Sequence, residues 1–184
     1  MPLKKISFSL KAPFGEIGGE WDVDRAEETA AWEMYVELAT RISVVPLGAD
    51  DGLLREALTS FYSLFATTRE ILRRHGPGIA KFPRTADDHD KYSFGYIAAW
   101  VLNGAVRPLV ARWHPLLEDW ETQRAGSTSR REHEKAWPRH DELRAEIQAI
   151  QTVLNNYAWL LAEACGAPGL MVANAEINPT TTAT

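Results

Sequence analysis

The sequence predicts an all-α protein, an antiparallel four-helix bundle with long, kinked third and fourth helices and a short N-terminal β-hairpin or extended strap. Three observations carry this expectation. Apolar residues recur at alternating steps of four and three through four separate segments, the spacing that lines one face of an α-helix. Ser or Asp precedes these segments and Gly or Pro follows most of them, the usual start and stop signals. The connections are short, which favours up-down-up-down topology. The 184 residues are read as a single domain, with 4–23 as the strap or hairpin, 24–166 as the bundle and 174–184 as a flexible tail.

Residues 4–23 differ in character from the rest of the chain. Ile6, Phe8 and Leu10 alternate with polar residues, and Ile17, Trp21 and Val23 lie beyond them across a glycine-rich stretch, as in two short strands or an extended strap. A lone hairpin is marginal in water, so this piece must lean on the helices or on a partner. Helix one starts after Asp24, with Glu27 completing a capping box. Its seam is Ala31, Tyr35, Leu38, Ile42 and Val45, widened by Trp32, Val36 and Ala39, and Pro46 and Gly48 end it.

Helix two is expected to be capped by Asp50 or Asp51 and to bury Leu54, Leu58, Phe61, Phe65, Thr68 and Leu72. Arg73, Arg74 and His75 suit the negative end of its dipole, and Gly76-Pro77-Gly78 stops it. A loop from Gly78 to Lys91 carries Pro83 and the acidic run Asp87-Asp88-His89-Asp90. Helix three opens at Ser93 and runs, bent at Pro108 and Pro115, to about Gln123. Helix four opens with the capping box Ser129 to Glu132 and kinks at Pro138. It buries Leu143, Ile147, Ile150, Leu154, Tyr157, Leu161 and Ala164 and ends at Gly166 and Pro168.

Composition narrows the function classes. The 45% hydrophobic and 24% charged fractions are those of a globular chain. One cysteine excludes an internal disulfide framework and a multi-cysteine zinc site. The net charge of -5 argues against a nucleic-acid partner. No secretory signal is read at the N-terminus, where serines, Lys11 and Pro13 interrupt the apolar residues. The charge-free stretch Tyr92–Val106 reaches roughly 22 Å as a helix, short of a bilayer core of about 30 Å. A cytoplasmic protein with no membrane partner is therefore expected. Seven tryptophans are the one unusual count.

No constellation calls for a cofactor, and none forms a catalytic set. Cys165 sits in the last turn of helix four, where the dipole disfavours thiolate. No G-x-S-x-G elbow is present. The Glu-x-x-His motif of di-iron bundles is missing before all five histidines. Extending the helix-four seam backwards places His140 and His133 at one bundle end, near His114 of helix three, a candidate zinc or proton-transfer set. On helix three, Tyr96, Trp100, Asn103, Arg107, Val110 and His114 form a polar stripe. With Arg69, beside Tyr62 and Phe65 on helix two, it is a candidate ligand site, since aromatics next to Arg and Asn can stack on a base. Glu33 and Glu37 are read as a solvated face. From Glu16 to Glu37, eight acids face only Arg25, an asymmetry that suits a cationic partner. Trp159 lies on a polar face with Asn155 and Asn156; Trp159, Asn155 and the strap's Trp21 are the candidate interface residues.

Three stretches, Trp32-Glu-Met-Tyr-Val-Glu-Leu38 running to Ile42, Leu53-Leu-Arg-Glu-Ala-Leu-Thr-Ser60 with Tyr62-Ser-Leu-Phe65, and Trp113-His-Pro-Leu-Leu117, resemble a small uncharacterised family of bacterial all-helical proteins. The likeness covers most of residues 15–170. It implies an accessory subunit of a bacterial signalling or defence system and brings no reaction or catalytic residue. The leading expectation is a non-enzymatic interaction or adaptor module that binds a protein partner or forms a homodimer. The first alternative is a small-molecule or nucleotide sensor using Arg69, Tyr96, Trp100, Asn103 and Arg107. The second is a metal-dependent enzyme using His114, His133 and His140.

Overall fold

The computed structural model describes residues 4–41, 48, 51–81 and 91–170. Ile42, Val45, Pro46, Asp50, Pro83, the Asp87–Asp90 run and the 174–184 tail lie outside the described residues. The fold is α+β, which corrects the all-α four-helix expectation: a three-stranded mixed sheet packs with five helices.

Strands β1 (Lys4–Ala12) and β2 (Gly15–Val23) form an antiparallel hairpin pairing Ala12 with Gly15 across Pro13-Phe14. The alternation in β1 and β2 is a core pattern. Ile6, Leu10, Ile17, Trp21 and Val23 are all buried among the helices, so the hairpin is part of the main core and not a cover over it. The third strand, β3 (Lys91–Tyr92), runs parallel to β2 at Glu20 and Trp21. At two residues it is too short to leave a periodic signal.

Helix α1 (Arg25–Ala39) carries the expected Asp24–Glu27 capping box and packs mainly on the last helix, α5 (His140–Cys165). Trp32, expected to widen its core stripe, is 44% exposed, because Ala31, Met34, Tyr35 and Leu38 already fill that face. Helix α2 (Leu54–His75) begins at Leu53, with no local side-chain cap. Its first amides are bound instead by Glu134 of a later helix, at 2.8 Å from Leu54 N and 3.3 Å from Arg55 N. Asp51 supplies no cap, so the expected Asp50 or Asp51 start is displaced by a tertiary one.

Helix α3 (Phe94–Glu121) is continuous over 28 residues. It does not simply bend at its prolines: Val101–Val106 adopts a π-helical stretch directly before Pro108. Pro108 has no amide to donate and its ring crowds the carbonyl four residues back, so a widened turn there relieves the conflict. By length and hydropathy α3 is a candidate membrane span, and 56% of its most apolar window is packed inside the protein. At its start Gly95 touches the turn Pro77–Ile79, where an added Cβ would lie 2.8 Å from Ala80 Cβ and 3.0 Å from Ile79 O.

The expected fourth helix is two helices. Short α4 (Arg130–Lys135) keeps its Ser129–Glu132 capping box. After Trp137-Pro138, α5 runs to Gly166, whose left-handed conformation closes it. A separate helix at this point lets Glu134 reach the start of α2.

Candidate functional site

Two surface depressions hold Trp159, Arg69 and Arg107 of the candidate residues. The first depression is a groove of about 520 Å³ between β1 and the C-terminal half of α5. Four consecutive β1 residues, Ser7 to Leu10, line it. Successive strand residues point to opposite faces, so a groove touching all four runs along the strand's edge. Among the described residues β1 pairs only with β2, and its other edge opens here. Trp159, 42% exposed, lines the same groove. Of the other candidate interface residues, Asn155 is half-buried, with its Oδ1 lacking a hydrogen-bond partner among the described residues. Trp21 is corrected: it is fully buried against Phe94 and belongs to the core, because its β2 position faces the helices.

The second depression is a cleft of about 260 Å³ between α2 and α3, lined by Tyr62, Phe65, Arg69, Arg107, Val110 and Ala111. The Arg107 guanidinium lies over the Phe65 ring, 5.3 Å from its centroid, and its Nε donates to Asn103 Oδ1 at 2.9 Å. Arg69 and Arg107 are thus brought together from the proposed ligand set. Tyr96 is not with them: it packs on Tyr92, 5.2 Å between ring centroids. Trp100 is not with them either, and its indole lies over Gly104 of its own helix. The π-helical stretch separates the two groups. A stripe drawn at 3.6 residues per turn assumes an unbroken phase, and Val101–Val106 shifts it, so Tyr96 and Trp100 leave the face that Arg107 and Val110 occupy.

The histidines do not converge, which corrects the proposed His114, His133 and His140 set. Among the described residues no three His, Cys, Asp or Glu side chains group as metal ligands. His133 stacks on Trp120 at 4.7 Å, and the two residues exchange ring-to-carbonyl hydrogen bonds. His140 pairs with Asp141 at 2.9 Å, and His114 packs against Tyr62. The break after α4 is the physical reason: Pro138 separates His133 from the helix that carries His140, so the backward extension of one seam fails.

Other polar groups serve the architecture. Glu33 and Glu37, read as solvated, are engaged: Glu33 by Arg74 and His75, Glu37 by Arg41. A polar pocket between α2, α3 and α4 is internally neutralised, with Arg55 gripping Glu121 through paired contacts of 2.6 to 3.1 Å and Glu134 capping α2. Cys165 is partly buried, and burial pushes its thiol up.

Sequence reasoning missed Glu27 as a tertiary ligand. It is 2% exposed and its carboxylate accepts from Asp24 N at 3.2 Å and Phe94 N at 3.0 Å, tying the starts of α1 and α3 together. The Trp21 indole N–H approaches the same carboxylate outside regular hydrogen-bond geometry. Burial is the main reason that Glu27's proton affinity is raised, against the lowering effect of the Phe94 and Asp24 amides. No family model matches the chain, and no curated protein or solved structure matches it.

Proposed function

We propose that this chain is a non-enzymatic interaction module that self-associates through the open edge of β1 and the neighbouring face of Trp159. The observation that carries the reading is that, among the described residues, the unpaired edge of β1 at Ser7 to Leu10 shares one groove with an exposed tryptophan. An open edge is a row of unused amides and carbonyls that another strand can complete. Two of the devices that guard such an edge, proline and a central charge, are missing here. Residues 4–12 contain no proline, and the central Ser7-Phe8-Ser9 is uncharged. The flanking lysines have partners within the molecule: Lys4 bonds the Glu163 carbonyl, Lys5 pairs with Glu20 at 2.7 Å and the exposed Lys11 lies 3.8 Å from Glu16.

Antiparallel pairing of two β1 strands around Phe8 joins two sheets into one and brings each Trp159 under cover. Burying the exposed part of one tryptophan contributes on the order of 2 kcal/mol. Sedimentation of the wild-type chain and of Trp159→Glu tests the reading. A dimer that the substitution dissociates supports it, and a wild-type monomer at high micromolar concentration contradicts it.

A further inference from the structure

We infer that the cleft between α2 and α3 is a binding site for a nucleoside monophosphate, with Arg69 and Arg107 holding the phosphate and Tyr62 stacking on the base. Charge is the first indication. The chain carries 25 acids against 20 lysines and arginines, and five of its arginines, Arg41, Arg55, Arg74, Arg112 and Arg139, each pair with a glutamate. Arg69 and Arg107 meet none among the described residues, and no carboxylate lines the cleft that they share. Two uncompensated guanidinium groups in one concavity of an acidic protein form a local anion site.

The hydrogen-bond geometry leaves donors free for that anion. Arg107 uses only its Nε, on Asn103, and Phe65 supports the plane of the guanidinium from one side. Both of its terminal amino groups therefore lack an acceptor among the described residues, and so does the whole of Arg69. An arginine held in plane with its fork open matches the oxygens of a phosphate monoester. Asn103 is a positioning residue in this arrangement.

The rings supply the second half of the recognition. Tyr62 is 61% exposed at the rim, braced by Phe65 at 6.2 Å and His114 at 5.9 Å between centroids. A braced, exposed ring is a platform for stacking a base. The cleft's volume of about 260 Å³ lies near the lower end of small-molecule sites. The π-helical stretch ends immediately before Arg107, and such stretches recur at functional sites.

Isothermal titration of the full chain with the four ribonucleoside 5′-monophosphates and with inorganic phosphate tests this site. At least one nucleotide is expected to bind more tightly than inorganic phosphate. Arg69→Gln and Arg107→Gln, both at exposed positions, are each expected to weaken it by about tenfold with an unchanged circular dichroism spectrum. Tyr62→Ala is expected to weaken the nucleotide and leave inorganic phosphate binding as it was. No heat from any nucleotide at millimolar concentration overturns the inference, as does nucleotide binding that both arginine variants retain. Equal affinity for inorganic phosphate overturns the stacking role of Tyr62.

Discussion

The carboxylate of Glu27, three residues into the first turn of α1, accepts the backbone N–H of Phe94, 67 residues away, at 3.0 Å. One side chain thereby caps two helices, and it does so from a buried position next to the sheet. Glu134 repeats the device, leaving α4 to bind the first amides of α2. Helix starts carry orphan amides and a partial positive charge, so a buried carboxylate is well matched to them.

Glu27 gives the fold a pH signature. Its proton affinity is raised in the folded chain, chiefly by burial. The folded state therefore holds this proton more tightly than the unfolded state. Its contribution is fully present below the ordinary carboxylate range and is lost as pH rises through the raised value. Glu27→Gln removes the titration and leaves one amide facing an NH2 group, at a cost of about 1–3 kcal/mol. Urea unfolding should show a larger deficit for Glu27→Gln near pH 4 than near pH 7. A deficit that grows towards neutral pH has the wrong sign for a buried carboxyl that gains its proton on folding.

Glu134→Ala strips the cap from α2 and leaves the amides of Leu54 and Arg55 without it. The expected loss is about 2 kcal/mol in chemical denaturation. Asp51→Ala, by contrast, should be nearly silent, because α2 takes no side-chain cap from that residue.

Tyr157 is buried, and its hydroxyl has no hydrogen-bond partner among the described residues. Burial alone pushes its phenol well above the usual tyrosine range. Tyr157→Phe removes an unsatisfied polar atom without changing the packing ring, so the variant should gain about 1 kcal/mol in denaturant. A loss of similar size indicates an ordered water on the hydroxyl.

Gly95 allows the start of α3 to approach the Pro77–Ile79 turn. A Cβ at this position meets the Ile79 carbonyl and Ala80, both backbone-anchored. Gly95→Ala should lower stability by about 1–3 kcal/mol despite the better helix propensity of alanine. Thermal melting of the two proteins checks the sign.

Much of the helical core was legible in the sequence because it obeys one periodicity. Leu143, Ile147, Ile150, Leu154, Tyr157, Leu161 and Ala164 are all buried, and both capping boxes form. The same rule failed wherever distant chain segments decide the local structure. β3 is too short to show alternation, and its partner lies 71 residues earlier at both paired positions. The start of α2 is set by Glu134, one acid among many, with nothing in its neighbours to mark it. On helix three, the π-helical stretch moved half of a well-spaced stripe off the face it defined, leaving Arg69 and Arg107 together and Tyr96 and Trp100 elsewhere.

Self-association through the open edge of β1 and Trp159 is the central claim. Sedimentation equilibrium over a wide concentration range measures it most directly, with wild type beside Trp159→Glu. A reversible dimer is predicted for the wild-type chain and a monomer for the variant, with matching circular dichroism spectra. A wild-type chain that stays monomeric throughout, or a dimer indifferent to Trp159→Glu, contradicts it.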